Sequence, residues 1–214
     1  MIVEIDNVEY FFGKNKILSG IYIKGETGTV TGILGKNGCG KTSLLKILFG
    51  NLSPKSKNIR IDGKHQKKAL FSTCLIAYLP QHSLIPKNLT TSRIFNLFKV
   101  SWIDFVAEFD TFSLYEKTKI NKLSSGEIRV IETYLILKSR KKIILLDEPF
   151  SFISPIHIEK IKNIINTQKK ESVIIITDHY YNDILEISDT LFFFKNGYSK
   201  PIDSKEDLKN EGYI

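Results

Sequence analysis

Cysteine is scarce in this sequence of 214 residues, which contains only Cys39 and Cys74. Two cysteines are too few for a disulfide framework, and these two are not spaced as a metal-binding pair. A reducing compartment is therefore expected, and the cytoplasm is the default location.

Long apolar runs are also missing. The longest ones, at residues 143–146, 173–176 and 191–194, are far shorter than the roughly 20 residues that cross a bilayer. Residues 1–6 contain no basic region followed by an apolar core, so no signal peptide is expected. If the protein works at a membrane, another chain must span that membrane.

The composition excludes a disordered chain, since 42% of the residues are hydrophobic and 25% are charged. The length suits one large domain or a core with a small inserted subdomain. The 31 Lys and Arg residues against 23 Asp and Glu residues give a formal charge of +8, which favours anionic partners such as a nucleotide, a nucleic acid or lipid headgroups. No nucleic-acid recognition motif accompanies this charge, so no specific nucleic acid is expected.

Strands and helices are predicted to alternate along most of the chain. Short runs of β-branched and aromatic residues indicate strands buried on both faces at residues 2–5, 29–34, 143–147 and 173–177. Helices are predicted at residues 41–49, 126–137, 156–165 and 182–187, with a short closing helix at residues 203–208. This alternation is typical of an α/β domain with a parallel sheet.

Residues 84–123 follow a different pattern, with apolar residues at helical spacings and no convincing strand. The residues that show this spacing are Ile94, Leu97, Phe98, Phe105, Phe109 and Phe112. The pattern predicts a helical insertion whose aromatic residues form a core rather than a ligand site.

A phosphate-binding motif occupies residues 35–42, which read Gly-Lys-Asn-Gly-Cys-Gly-Lys-Thr between a predicted strand and a predicted helix. Glycines let successive backbone N–H groups close around phosphate oxygens, and the helix N-terminus favours an anion. Lys41 supplies a charge to the β- and γ-phosphates, and the Thr42 hydroxyl is suited to bind Mg²⁺. The predicted nucleotide-binding residues of this loop are Gly35, Lys36, Asn37, Gly38, Cys39, Gly40, Lys41, Thr42 and Ser43.

Two adjacent carboxylates, Asp147 and Glu148, follow an apolar strand. They are expected at the carboxyl edge of the sheet, where ligands bind in open α/β sheets. Asp147 is suited to hold Mg²⁺ or its water, and Glu148 to orient and deprotonate an attacking water. Together with the phosphate motif, these acids predict nucleotide hydrolysis.

Residues 123–127, Leu-Ser-Ser-Gly-Glu, resemble the signature sequence of ABC ATPases, and they end 20 residues before Asp147. Residues 78–81, which end in Gln81, resemble the Q-loop of that family. Residues 176–179 resemble the strand that leads to its switch histidine, here His179. Phe12 lies where the family places an aromatic residue that stacks on adenine, with Phe11 and Tyr10 as close competitors.

The resemblance covers roughly residues 1–200 and implies one ABC ATPase domain over residues 1–214. The implied fold class is α/β, a P-loop NTPase cassette with a RecA-like core. The cassette would also contain a helical subdomain at about residues 84–135 and an N-terminal antiparallel β subdomain.

The same resemblance implies a mechanism that uses ATP, Mg²⁺ and two cassettes arranged head to tail. The signature residues Ser124, Ser125, Gly126 and Glu127 of one cassette would bind the ATP held by the other.

Individual roles follow from the family's motifs. Glu148 would activate water, His179 would hold the γ-phosphate and the water in line, and Gln81 would contact Mg²⁺ and sense the partner. The other histidines, His65, His82 and His157, fit no such role and are expected at the surface.

Two positions depart from the family pattern. Ser125 replaces the usual first glycine of the signature pair, and Ser154 replaces the usual aspartate of the D-loop at residues 150–155. The sequence does not decide between a homodimer and a heterodimer with a standard partner cassette. We expect the hydrolytic chemistry to be intact, because the residues assigned to it are all present.

The leading functional hypothesis is the ATPase subunit of an ABC transporter, bound peripherally at the inner face of the membrane through separate transmembrane permease subunits. Residues 82–105 would form the docking area for such a subunit. The alternative is a soluble ABC ATPase that acts on a macromolecular assembly. A third reading, a nucleotide-binding switch without turnover, is favoured only by Ser125 and Ser154.

Overall fold

The computed structural model describes residues 1–213. Its strands are β1 (Ile2–Phe12), β2 (Asn15–Glu26), β3 (Val30–Gly35), β4 (Ser56–Ile61), β5 (Lys64–His65), β6 (Ile76–Leu79), β7 (Ile143–Asp147), β8 (Val173–Thr177), β9 (Thr190–Lys195) and β10 (Tyr198–Ile202). Its α-helices are α1 (Lys41–Phe49), α2 (Thr91–Phe98), α3 (Trp102–Glu108), α4 (Ser125–Leu137), α5 (Pro155–Gln168), α6 (Tyr181–Ile187) and α7 (Lys205–Asn210). Short 3-10 helices lie at Leu70–Thr73, Asp110–Tyr115 and Ile120–Lys122.

A six-stranded sheet forms the centre of the molecule, in the order β10-β9-β3-β8-β7-β6. All neighbouring pairs are parallel except β10 and β9. Successive side chains of β7 point to opposite faces, so Ile144 and Leu146 pack in the core beneath α4 and α5, whereas Ile143 and Leu145 pack in the core that contains α1. Helices therefore cover both faces, as a continuous apolar strand requires.

A second, antiparallel sheet has the strand order β2-β1-β4-β5. Its Val3, Ile5 and Leu18 share a core with Leu44 and Leu45 of α1, so α1 lies between the two sheets. The expected α/β fold with an N-terminal antiparallel β subdomain is confirmed. Strand β1 runs to Phe12, well beyond the predicted residues 2–5, because its second half pairs with β2 through an irregular register.

The segment from α2 to α4 is helical and has an aromatic core. The Phe105 ring lies 5.0 to 5.1 Å from the rings of Phe95, Phe109 and Phe112, and 4.9 Å from the ring of Tyr134, between ring centroids. All five side chains are buried. The prediction that these aromatic residues form a core is confirmed.

Some expectations from the sequence are corrected by the structure. Leu97 shares the helical spacing of the core residues but is 65% exposed. His157 is half-buried rather than on the surface, because its ring packs against Phe109 and Phe112 at 5.6 and 5.7 Å. The closing helix begins at Lys205 rather than at residue 203, because Ser204 caps it. Within residues 1–213, the helices are too short or too polar to cross a membrane.

Replacing Phe105 by alanine tests the aromatic core. The substitution removes a ring with 0% exposure, and a large cavity of this kind costs about 3–5 kcal/mol of unfolding free energy. Ile103→Ala on the same helix is the matched control, because Ile103 is 78% exposed and surface changes stay within about 0.5 kcal/mol. Urea unfolding, followed by circular dichroism, measures the stability of both variants. Equal unfolding midpoints for the two variants would contradict the buried packing of Phe105.

Candidate nucleotide-binding site

The phosphate loop, residues 35–42, connects β3 to α1. Gly38 and Gly40 have positive φ angles of 81° and 105°, a backbone conformation that favours glycine. A Cβ atom at Gly40 would lie 2.5 Å from Cδ2 of Leu18, so that position also lacks room for a side chain. The loop thus folds closely against β2 and presents the N-terminus of α1, a helix end that attracts anions.

Lys41 places a positive charge within this loop. Only 7% of its surface is exposed. Its ammonium group donates hydrogen bonds to the carbonyl oxygens of Gly35 at 2.6 Å and Lys36 at 3.3 Å, and it lies 3.9 Å from Sγ of Cys39. These contacts fix the charge beside the backbone amides of the loop, an arrangement suited to a phosphate group.

Asp147 is a buried carboxylate at the end of β7, and three hydroxyl groups donate to it. The Thr42 and Thr177 hydroxyls reach Oδ1 at 3.1 and 2.9 Å, and the Tyr78 hydroxyl reaches Oδ2 at 3.0 Å. Burial raises the pKa of Asp147, and these three hydrogen bonds oppose the rise. Burial and the nearby Asp147 charge raise the pKa of Tyr78, so its hydroxyl remains a donor.

Glu148 turns its side chain in another direction because its φ angle is 55°, in the left-handed region. Its Oε2 atom accepts a hydrogen bond from Nε2 of Gln81 at 2.9 Å and lies 3.6 Å from Nδ1 of His179. Its backbone N–H donates to the carbonyl of Thr177 at 2.7 Å. The adjacent acids are therefore separated, with one carboxylate buried in the sheet and the other facing Gln81 and His179.

These groups surround one open cleft of about 370 Å³. The cleft is lined by Asn37, Gly38, Gly40, Lys41, Thr42, Ser43, Gln81, Glu148 and His179. The structure thus brings the phosphate loop, Gln81, Glu148 and His179 together. Asp147 lies behind Thr42 and accepts a hydrogen bond from its hydroxyl.

The signature residues lie at the N-terminus of α4 and do not line this cleft, but Ser125 lines an adjoining cleft together with Gln81, Glu148 and His179. Ser124 and Glu127 form a capping box, in which the Ser124 hydroxyl accepts from the Glu127 N–H at 3.2 Å and the Glu127 carboxylate accepts from the Ser124 N–H at 2.7 Å. A Cβ atom at Gly126 would collide with the carbonyl oxygen of Phe152. Ser125 is exposed at this helix end.

Phe12 ends β1 and is 72% exposed, outside the lining of the cleft. Its competitor Phe11 is 37% exposed, and the ammonium groups of Lys16 and Lys55 lie over its ring at 5.9 and 5.7 Å from the centroid. Tyr10 packs partly buried against the core. Of the three aromatic residues, Phe12 has the most exposed ring.

Arg129 is a site residue that the sequence reasoning missed. Its guanidinium group is buried, and it donates to the backbone carbonyls of Pro80, Asp147 and Glu148, with Glu132 at 3.6 Å. The sequence did contain a signal for Arg129, because it is a charged residue within the apolar stretch of the helix predicted at residues 126–137.

Asp178 was missed as well, although it directly precedes His179. Its carboxylate is buried and accepts from the N–H groups of Phe150, His179 and Tyr180 at 3.0, 2.7 and 3.1 Å. Burial raises the pKa of Asp178, and these backbone hydrogen bonds oppose the rise. Asp178 therefore fixes the backbone that carries His179.

Two curated proteins with similar sequences are named as import ATP-binding proteins. An arabinose import ATP-binding protein of Mannheimia succiniciproducens is 32% identical over 212 residues, which cover 91% of this chain and 42% of the relative. A galactose/methyl galactoside import ATP-binding protein of Treponema denticola is 26% identical over 222 residues, which cover 94% of this chain and 45% of the relative. The chain thus spans less than half the length of these two curated relatives.

The fold agrees with a solved structure described as the ATP binding subunit of an ABC transporter. The TM-score is 0.84 at 18% identity, and the similarity covers 100% of this chain and 94% of the other. The family profile for the ABC transporter matches residues 18–151, which is more than half of the sequence. The chain therefore belongs to the ABC transporter family and has the fold of its ATP-binding cassette.

Proposed function

We propose that this chain binds and hydrolyses ATP as the nucleotide-binding subunit of an ABC transporter. In this proposal residues 1–214 form a single cassette whose helical subdomain spans about residues 84–135. The observation that carries the proposal is the single cleft in which Lys41 and Thr42 lie beside Gln81, Glu148 and His179. A loop that binds phosphates and a side chain that orients or deprotonates the attacking water are the groups that transfer of the γ-phosphoryl group to water uses.

The phosphates of ATP bind to the loop of residues 35–42 and to Ser43. Lys41 supports this assignment, because its ammonium group is already held at Gly35 and Lys36 with its charge toward the loop. The N-terminus of α1 adds backbone amides and a favourable field. The exposed ring of Phe12 is assigned to stack on the adenine.

The oxygen atoms of Thr42, Asp147 and Gln81 fit a bound Mg²⁺ ion. Oγ1 of Thr42 and Oδ1 of Asp147 lie 3.1 Å apart, and hydroxyl and carboxylate oxygens are the ligands that this cation takes. Gln81 lines the same cleft and supplies a further amide oxygen. When bound, Mg²⁺ neutralises charge on the phosphate oxygens.

Glu148 is assigned as the base that takes a proton from the attacking water. Gln81 and His179 flank its Oε2 atom at 2.9 and 3.6 Å, and they hold the carboxylate toward the cleft. His179 is itself held by the Asp178 carboxylate through its backbone N–H. These contacts pre-organise the base before a nucleotide enters, which lowers the cost of reaching the reactive geometry.

A second cassette, either another copy or a different chain, completes the site in this proposal. Ser124, Ser125, Gly126 and Glu127 do not line the cleft that contains the phosphate loop of their own chain, and they lie at the N-terminus of a helix of 13 residues. The capping box occupies the Ser124 N–H, so the amides of Ser125 and Gly126 remain as the natural donors to a phosphate on the partner.

The transported substrate passes through transmembrane permease subunits, which would hold the cassette at the cytoplasmic face of the membrane. The names of the relatives support a role in transport. Leu97 and Ile103, which lie in the proposed docking area of residues 82–105, are 65% and 78% exposed. Exposed apolar side chains are suited to a protein interface where they form one contiguous patch.

Replacing Glu148 by glutamine tests the base. The change keeps the shape of the side chain but removes the proton acceptor, so kcat for ATP is expected to fall by about 10²–10⁴-fold. ATP binding is retained, and a dimer that contains ATP accumulates on a sizing column. Glu171→Gln, at an exposed position, is the matched control and keeps wild-type turnover. Unchanged turnover of the Glu148 variant without a dimer would rule out this assignment.

Replacing Asp147 by asparagine tests the Mg²⁺ site. The amide still accepts hydrogen bonds from Thr42 and Thr177, but the charge is lost. A hydrogen bond to a charged group, which gives the scale of such a loss, contributes about 1.5–3 kcal/mol. The ATP Kd in the presence of Mg²⁺ is expected to rise about 10- to 100-fold, whereas the Kd measured in EDTA stays at the wild-type value. If Mg²⁺ lowers the ATP Kd by the same factor in the wild-type protein and in the variant, the role of Asp147 is contradicted.

Co-purification distinguishes transport from action on a soluble assembly. Affinity isolation of the tagged chain from detergent-solubilised membranes is expected to recover a partner with several membrane-spanning helices. Ile103→Asp on the exposed face of α3 reduces that recovery, because it places a charge in the proposed interface. Recovery of soluble partners alone would count against the transporter assignment.

A further inference from the structure

Glu132 is a buried carboxylate on α4, one turn after Arg129. Only 1% of its surface is exposed. A charge that is removed from water is costly unless hydrogen bonds and an opposite charge compensate it. The contacts of Glu132 therefore identify a part of the structure that depends on this one side chain.

One carboxylate oxygen of Glu132 accepts hydrogen bonds from three consecutive residues. The donors to Oε1 are the Ser83 hydroxyl at 2.9 Å, the Leu84 N–H at 2.6 Å and the Ile85 N–H at 3.2 Å. Two of these donors are backbone groups, so the carboxylate fixes the path of the chain as well as one side chain. Ile85 is 4% exposed and belongs to the core beneath α4 and α5.

Arg129 holds the other end of the same segment. Its Nη1 atom lies 3.6 Å from Oε2 of Glu132 and donates to the carbonyl of Pro80 at 2.7 Å. The two charged residues are three positions apart on α4, so their side chains lie on one face of the helix. That face binds the chain on both sides of Gln81 and His82, which are exposed.

Gln81 connects this anchored segment to the proposed base. Its Nε2 atom donates to Oε2 of Glu148 at 2.9 Å, and its side chain lines the cleft beside the phosphate loop. Only two residues separate Pro80 from Ser83. A shift of either anchor therefore moves Gln81 relative to Glu148.

We propose that Glu132 is a positioning residue for ATP hydrolysis, which holds Gln81 against the Glu148 carboxylate. The proposal rests on the proposed ATPase function. It assigns no contact between Glu132 and the nucleotide, and the effect passes through residues 83–85 to Gln81.

The first test compares Glu132→Gln with the matched control Glu116→Gln, at an exposed position. Glutamine has the same shape and still offers an oxygen to the three donors, but hydrogen bonds to a neutral oxygen are about half as strong. The kcat for ATP is expected to fall about 2- to 10-fold. The ATP Kd measured in EDTA stays at the wild-type value, because the phosphate loop keeps its contacts. The control keeps both constants, and a wild-type kcat in Glu132→Gln would overturn the inference.

A double variant shows whether the effect passes through Gln81. Gln81→Ala removes the side chain that Glu132 is proposed to position, so adding Glu132→Gln to it is expected to lower kcat by less than about 2-fold further. A general loss of stability would instead lower kcat by the same factor in both backgrounds. Additive losses of this kind would show that Glu132 acts independently of Gln81, and the inference would be wrong.

Amide hydrogen exchange of the nucleotide-free protein gives a readout that does not depend on ATP. The Leu84 and Ile85 amides donate to Glu132, so faster exchange in residues 83–85 of Glu132→Gln is expected, with wild-type exchange in residues 35–42. Wild-type exchange in residues 83–85 would contradict the anchoring role. A wild-type chain that hydrolyses no ATP would overturn the proposed function instead, while the exchange result would still decide whether Glu132 holds this segment.

Discussion

The geometry of the site depends on the buried carboxylate of Asp147. A buried carboxylate is costly unless hydrogen bonds replace the lost water, and its three donors come from α1, β6 and β8. Those bonds form only when β7 lies between β6 and β8 and when α1 begins beside the carboxyl edge of the sheet. One desolvated charge therefore couples the strand order to the position of the phosphate loop.

Arg129 extends this constraint to the helical segment. Its guanidinium group binds the backbone carbonyls at the ends of two neighbouring strands, at Pro80, Asp147 and Glu148. The cost of burying this cation is reduced by Glu132 at 3.6 Å. Because Arg129 lies one turn after the signature residues on α4, the signature loop and the base of the cleft are connected by a single side chain.

Much of the fold and of the cleft follows from local sequence patterns. The phosphate loop was predictable because glycine spacing, strand and helix are contiguous, and the meeting of Gln81 with Glu148 follows from parallel strands that end at one edge. Strands β2 and β4 were not predicted, because polar residues interrupt their apolar ones. These segments are strands because they pair with β1. Arg129 and Asp178 were missed for a related reason, since their partners are backbone groups brought close by tertiary structure.

The collision that any side chain at Gly126 would make with the carbonyl of Phe152 shows that the signature loop and residues 150–154 touch without a gap. The Gly126 backbone therefore packs directly on the backbone of Phe152 and Ile153, so a displacement of one segment must open this contact or move the other segment. Loss of activity in a Gly126 variant then reports on this contact as well as on the signature residues themselves. Suppressor substitutions are accordingly expected at Phe152 and its neighbours as well as around the phosphates.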